Sequence, residues 1–191
     1  FSIGHKQKSE TLYPSVYSPL DKDFSYIDNP GFADTRGMYT VIVNGYFREQ
    51  VTKDIEELKF VILLHYADIM NRGHQVRESI VFFSDFLGIF DDQELENYEN
   101  LIKSIGIVIS RADKNDIEIK QYVQELLLEI LHEEKRKNKL NFIQEHVFSK
   151  IFNNTDQIEI FSTPQHEGLL SGNEKENIEN MINKLSYIEK D

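Results

Sequence analysis

Asp28 and Gly31 stand three residues apart in Asp28-Asn29-Pro30-Gly31, and their types and spacing suit a chemistry. The short apolar and aromatic run Phe24-Ser25-Tyr26-Ile27 precedes Asp28 and reads as a buried strand. An acid at the carboxyl end of a strand can hold a metal-bound water. A glycine just beyond a tight turn lets backbone N–H groups approach a terminal phosphate with no side chain in the way. With the following loop of Asp34, Thr35, Arg36 and Gly37, this order suits a magnesium-triphosphate site. The plain alternative is a turn after any strand. Other reactive side chains are scattered. The six histidines show no metal-ligand spacing, and His65, at the end of an apolar run, reads as a hydrogen-bonded rim or core residue. Asp91, Asp92, Glu94, Glu96 and Glu99 include paired carboxylates that could serve acid–base work, but such a run reads first as the solvated start of a helix. There is no cysteine, hence no disulfide and no thiolate chemistry.

The elements that must position these residues follow from the apolar pattern. Phe60-Val61-Ile62-Leu63-Leu64-His65 is a continuous apolar run of the kind that forms a parallel strand covered on both faces. Ile105-Gly106-Ile107-Val108-Ile109 is a second such run and ends in Ser110-Arg111-Ala112-Asp113. Gln157-Ile158-Glu159-Ile160-Phe161 alternates like a strand and leads into Ser162-Thr163-Pro164. Helical spacing joins Val43, Phe47, Val51, Ile55 and Leu58, and after a polar break at 68–73 it joins Val76, Ile80, Phe83, Leu87 and Phe90. It recurs over residues 117–135, at Ile143, Val147 and Ile151, and at Ile178, Met181, Ile182, Leu185 and Ile188. Residues 1–23 read as loop and one edge strand, because Pro14 interrupts their apolar pairs. The expected fold is α/β: a mainly parallel sheet with strands near 24–28, 59–65, 105–110 and 157–161, helices on both faces, and the carboxyl ends of the strands gathered on one side.

A chain of 191 residues is enough for one sizeable core, and the expectation is a single domain over 1–191. Its net charge of −12, from 21 basic and 33 acidic residues, argues against binding nucleic acid through bulk charge. No apolar run is long enough to span a bilayer and no signal peptide is visible, so a cytoplasmic location is expected.

Four segments, in order and each at a strand end, resemble the motifs of P-loop GTPases of the TRAFAC class. Asp28 and Gly31 are similar to the third motif, D-x-x-G. The longer reading D-x-P-G-F-x-D-x-R-G, from Asp28 to Gly37, resembles the septin, GTPase-of-immunity-associated and Era-like branches. Ser9-Glu10-Thr11 resembles switch I, whose threonine closes over magnesium and the terminal phosphate; Thr11 is the choice, with Ser9 second. Ser110-Arg111-Ala112-Asp113 resembles the fourth motif, N/T-K-x-D, with Ser110 departing from the usual Asn or Thr. Guanine presents two adjacent N–H donors, and one aspartate accepts both, while the stem of a long cation stacks over the base. Ser162-Thr163-Pro164 resembles the fifth motif, whose backbone supports the base, with Thr and Pro replacing the usual Ala and Lys.

The resemblance implies a G domain that binds GTP or GDP with Mg2+. The nucleotide residues it implies are Thr11, Asp28, Gly31, Arg111, Asp113 and Ser162, with Thr11 and Asp28 also at the metal. Phe32 follows Gly31, where Ras-like enzymes keep a water-orienting glutamine, so hydrolysis is expected to be slow or assisted by a protein partner, a homodimer or a cation. No G-x-x-x-x-G-K-S/T occurs, and the chain opens on Phe1 near the switch I segment. The first strand and phosphate loop of the family are therefore expected upstream of Phe1, and GTPase activity depends on them. The alternative is a pseudo-GTPase, a scaffold or interaction module that keeps the fold without nucleotide turnover.

Overall fold

A computed structural model describes residues 15–20, 23–28, 55–71, 73–86, 95–112, 117–163 and 173–189. The chain falls into two units, residues 1–56 and 57–191. In the first, strand β1 (Ser15–Tyr17) pairs with strand β2 (Tyr26–Asp28), with Ser15 opposite Asp28 and Tyr17 opposite Tyr26. The hydroxyls of Ser18 and Ser25 share a hydrogen bond of 2.6 Å across the connection, and the Phe24 ring stands edge-on to Tyr26 at 5.2 Å. The pairing is antiparallel. This corrects the expectation that the strand near 24–28 runs in a mainly parallel set. A short connection returns the chain beside itself, and that allows only antiparallel pairing. The edge strand expected before residue 23 is β1, all three residues of which are exposed.

The second unit opens with the two-residue strand β3 (Glu57–Leu58) and continues through β4 (Phe60–His65). Leu58 was expected to continue a helix from Val43. It instead pairs with Ile188, and Val43, Phe47 and Val51 lie outside the described residues. The short helix α1 (Tyr66–Met70) runs into the stretch 68–73 expected to be a polar break. His65 supplies its cap, its Nδ1 accepting the Ala67 N–H at 3.1 Å. Helix α2 (His74–Phe86) buries Val76, Ile80 and Phe83, the spacing expected of it; Leu87 and Phe90 lie outside the described residues. A 3-10 turn (Leu95–Tyr98) then leads into α3 (Glu99–Ser104), and Glu99 stands exposed in the first turn, as an acid at a helix start should.

Strand β5 (Ile105–Ala112) is the centre of the core, with Ile105, Ile107 and Ile109 fully buried. It runs parallel to β4 on one side and to β6 (Ile158–Ser162) on the other. Between β5 and β6 lie α4 (Ile117–Arg136), which buries Val123, Leu127 and Leu131, and α5 (Phe142–Asn153), which buries Val147, Phe148, Ile151 and Phe152. Asn141 and Gln144 form a reciprocal capping box at the start of α5, with bonds of 2.7 and 3.0 Å. The buried amide of Gln157 donates to the carbonyls of Ile102 and Ile105, at 2.5 and 2.7 Å, and so fixes the entry to β5 against the entry to β6. Helix α6 (Asn173–Lys184) follows β6, with the side chains of Met181 and Leu185 lying against Gly106. The last strand, β7 (Ile188–Glu189), pairs antiparallel with β3, so Ile188 ends in a ribbon where its spacing had suggested helix.

Both faces of β5 are thus covered, while β4 is covered on one. Val61 and Leu63 lie beside Gly106 and Val108 in register, on the face of α6, yet they are 43% and 64% exposed. Ile62 and Leu64, on the opposite face, are buried.

Candidate functional site

Of the six residues singled out from the sequence, Asp28, Arg111 and Ser162 are described; Thr11, Gly31 and Asp113 lie outside the described residues, as does Ser9. Asp28 ends β2 and is half-buried opposite Ser15. It belongs to the first unit, and Arg111 and Ser162 to the second. A carboxylate at a strand end suits a water-mediated contact to Mg2+. Among the described residues no three His, Asp or Glu side chains are grouped as a metal cage.

Arg111 and Ser162 come together because β5 and β6 are parallel neighbours whose carboxyl ends lie side by side. The register runs from Ile107 opposite Ile158 through Ile109 opposite Ile160, then slips, and resumes with Ala112 opposite Ser162. Arg111 sits inside this irregularity with φ 57°, and its side chain is exposed. A left-handed backbone costs a side-chain-bearing residue of order 1–2 kcal/mol, and such residues cluster where a bulge re-aims side chains near a site. Beside it, the buried Ser110 hydroxyl donates to the Leu64 carbonyl at 3.2 Å, tying the end of β5 to that of β4. The Thr163 N–H donates to the Ala112 carbonyl at 2.9 Å and extends the pairing one residue past β6.

Ser162 is held from the other side. Its backbone N–H and its hydroxyl both donate to one oxygen of Glu174, at 3.1 and 2.6 Å. Glu174 lies in the first turn of α6. The sequence reading missed this carboxylate. The available signal was an acid just after Asn173 at the start of a helical pattern, which reads equally well as a complement to the helix dipole. Lys120 of α4 pairs with Glu159 of β6 at 3.2 Å.

Two clefts occur away from these strand ends. One, of about 510 Å³, is lined by His132, Glu145 and neighbouring charges. The other, of about 420 Å³, lies between Met70, Arg77 and Leu126. Both follow the later half of α4, within the stretch 117–135 that the sequence marked as helical.

Among the described residues no helix is long and apolar enough to cross a membrane. No protein-family model matches this chain, and no curated protein or solved structure matches it either.

Proposed function

We propose that this chain carries a guanine-nucleotide-binding domain of the P-loop GTPase kind, acting as a switch whose hydrolysis is slow or partner-assisted. One observation carries the reading: the strand ends bearing the fourth- and fifth-motif-like segments are adjacent, with Arg111 in a left-handed bulge next to the pair Ala112–Ser162. Ligands of open α/β sheets bind at the carboxyl ends of parallel strands, and this is such a place. In this reading Asp113, which follows Ala112 in the sequence, accepts the two N–H donors of guanine, and Arg111 lays its stem and guanidinium over the base. By the resemblance, Asp28 would hold Mg2+ through water, and Thr11 and Gly31 would serve the metal and the terminal phosphate. Affinity within these 191 residues should be weak. They contain no G-x-x-x-x-G-K-S/T, and the net charge of −12 repels a triphosphate.

The engagement of both Ser162 donors by Glu174 favours a second reading, a pseudo-GTPase that keeps the fold as an interaction module. Titration of the chain and of Asp113→Asn with GTP and with xanthosine triphosphate, in the presence of magnesium, separates the two. The substitution turns one acceptor of the carboxylate into a donor. The preference should therefore move from guanine toward xanthine by about 100-fold. An unchanged preference removes Asp113 from base recognition, and no binding by either protein leaves the scaffold reading.

A further inference from the structure

We infer that the cleft of about 420 Å³ between α1, α2 and α4 binds a small organic cation, an ammonium group on an apolar body, with Glu129 as its counter-charge. The inference stands apart from the guanine-nucleotide reading. Clefts that take small molecules have volumes of about 300–1,000 Å³, are mostly apolar, and orient the ligand with a few polar groups. The apolar part here comes from Ile69 and Met70 of α1 and from Leu126 and Ile130 of α4. Ile69 and Ile130 are buried, whereas Met70 is 41% exposed, and its unbranched side chain can lie against guests of different shape. The walls are held together without a ligand. Gly73 joins α1 to α2 with φ 62°, and its N–H donates to the Asp68 carbonyl at 2.8 Å. A Cβ at this position would collide with the Ile130 side chain, so the turn lies against α4 only because the residue is glycine.

Charge pairing selects the ligand. Both basic groups on the lining already have carboxylate partners. Arg77 donates from Nη2 to Glu133 at 2.7 Å and sets Nε 3.3 Å from Glu134. Lys137 lies 3.1 Å from Glu134 and 3.6 Å from Glu133. Lys139 reaches Glu134 at 3.4 Å but does not line the cleft. Glu129 is the lining charge left over; it is exposed and has no ion-pair partner among the described residues. On its other side, His132 and Lys135 both face Glu145, and Arg136 stands two turns further along α4, about 10 Å by helical rise. An anion entering the cleft would have to break the pair of Arg77 and Glu133, and a neutral guest would gain nothing from Glu129. A cation gives Glu129 the partner that the fold does not supply, and the net charge of −12 draws it in at long range.

The test follows the methionine methyl signals of the full chain by NMR while phenethylammonium, phenethyl alcohol and 3-phenylpropionate are titrated to millimolar concentration at low salt. The three probes share one apolar body and differ in charge. Phenethylammonium should shift the Met70 methyl saturably and leave Met181, which lies against Gly106, unmoved. It should bind about fivefold more tightly than the alcohol, the upper range for an exposed ion pair. Glu129→Gln should erase that advantage. Glu125→Gln, which removes an exposed carboxylate one turn away and outside the lining, should keep it. Tighter binding of phenylpropionate, or equal binding of the cation and the alcohol, overturns the inference. An equal loss in the two glutamine variants also overturns it, because general attraction to an acidic surface would then account for the preference. Absence of a saturable Met70 shift with any probe removes the site altogether.

Discussion

Glu134 shows how a single residue can hold three segments of this fold in place. It lies near the end of α4, is 1% exposed, and faces Arg77 of α2 at 3.3 Å, Lys137 at 3.1 Å and Lys139 at 3.4 Å. Neighbouring Glu133 takes a second Arg77 nitrogen at 2.7 Å. Burial alone would push the Glu134 carboxyl up, but the ammonium groups of Lys137 and Lys139 outweigh it and hold the group below its ordinary value of 4.5. A carboxyl lowered by folding stabilises the protein above the unfolded value, and that contribution disappears as pH falls through the lowered folded value. Glu134→Gln should therefore lose about 1–3 kcal/mol at neutral pH and show a shallower loss of stability below about pH 4.5. Urea unfolding across that range checks both; an unchanged acid limb would show that other carboxylates govern it. The position was partly legible. Glu134 follows Leu127, Ile130 and Leu131 at steps of seven, four and three, which places it on the buried face of α4. It also stands in the charged run from Glu133 to Lys137, which by composition alone gives no sign of burial.

Among elements, the contact of α6 with β5 depends on a residue that has no side chain. A Cβ at Gly106 would lie 2.9 Å from Met181 Cε and 3.1 Å from Leu185 Cδ1. Alanine is tolerable there because the Met181 terminus can turn aside, but valine must lift the helix. Gly106→Val should cost about 1–3 kcal/mol and lower the unfolding midpoint, whereas Gly106→Ala should stay well within that. Equal midpoints for the two variants would mean that α6 does not bear on Gly106 in solution. The pattern that made β4, β5, β6, α4 and α5 readable is local: apolar runs and helical spacings whose burial follows from the adjacent chain. Pairing direction and distant partners are not local. Residues 26–28 were recognisable as strand, yet nothing in them states that Ser15–Tyr17 lies antiparallel beside them. Leu58 and Ile188 each continue a helical spacing, and each leaves it because the other lies across a ribbon. The candidate site was legible in the same measure: its strand ends could be read, and the Glu174 bond, which depends on where α6 begins, could not.

At the scale of the whole second unit, the uneven cover of its sheet is the governing feature. Val108 and Ile107 are buried on opposite faces of β5, while β4 offers Val61 and Leu63 to solvent. Leu63→Ser should therefore change the unfolding free energy by less than about 0.5 kcal/mol, the usual range for surface positions. A loss near the 2–5 kcal/mol of a buried leucine truncation would reveal that this face is covered in solution. The sequence suggested a strand buried on both sides here, since Phe60–His65 is apolar throughout. Composition records what a strand is able to bury, and the neighbouring helices decide what it does bury.

The β3–β7 ribbon closes this unit in another sense. It sets Glu57 opposite Glu189 and Leu58 opposite Ile188, and Lys59 reinforces the junction by donating to the Ile182 carbonyl at 2.9 Å and lying over the Tyr187 ring at 4.2 Å. The path that enters the unit and the path that leaves it are thus neighbours, and the sheet between them is laid down in sequence order, β4, β5, β6. Such an architecture behaves as a cassette. Spliced into a surface loop of another protein, it would let the host chain depart and return at almost one point, which is the geometry on which domain insertion and circular permutation depend.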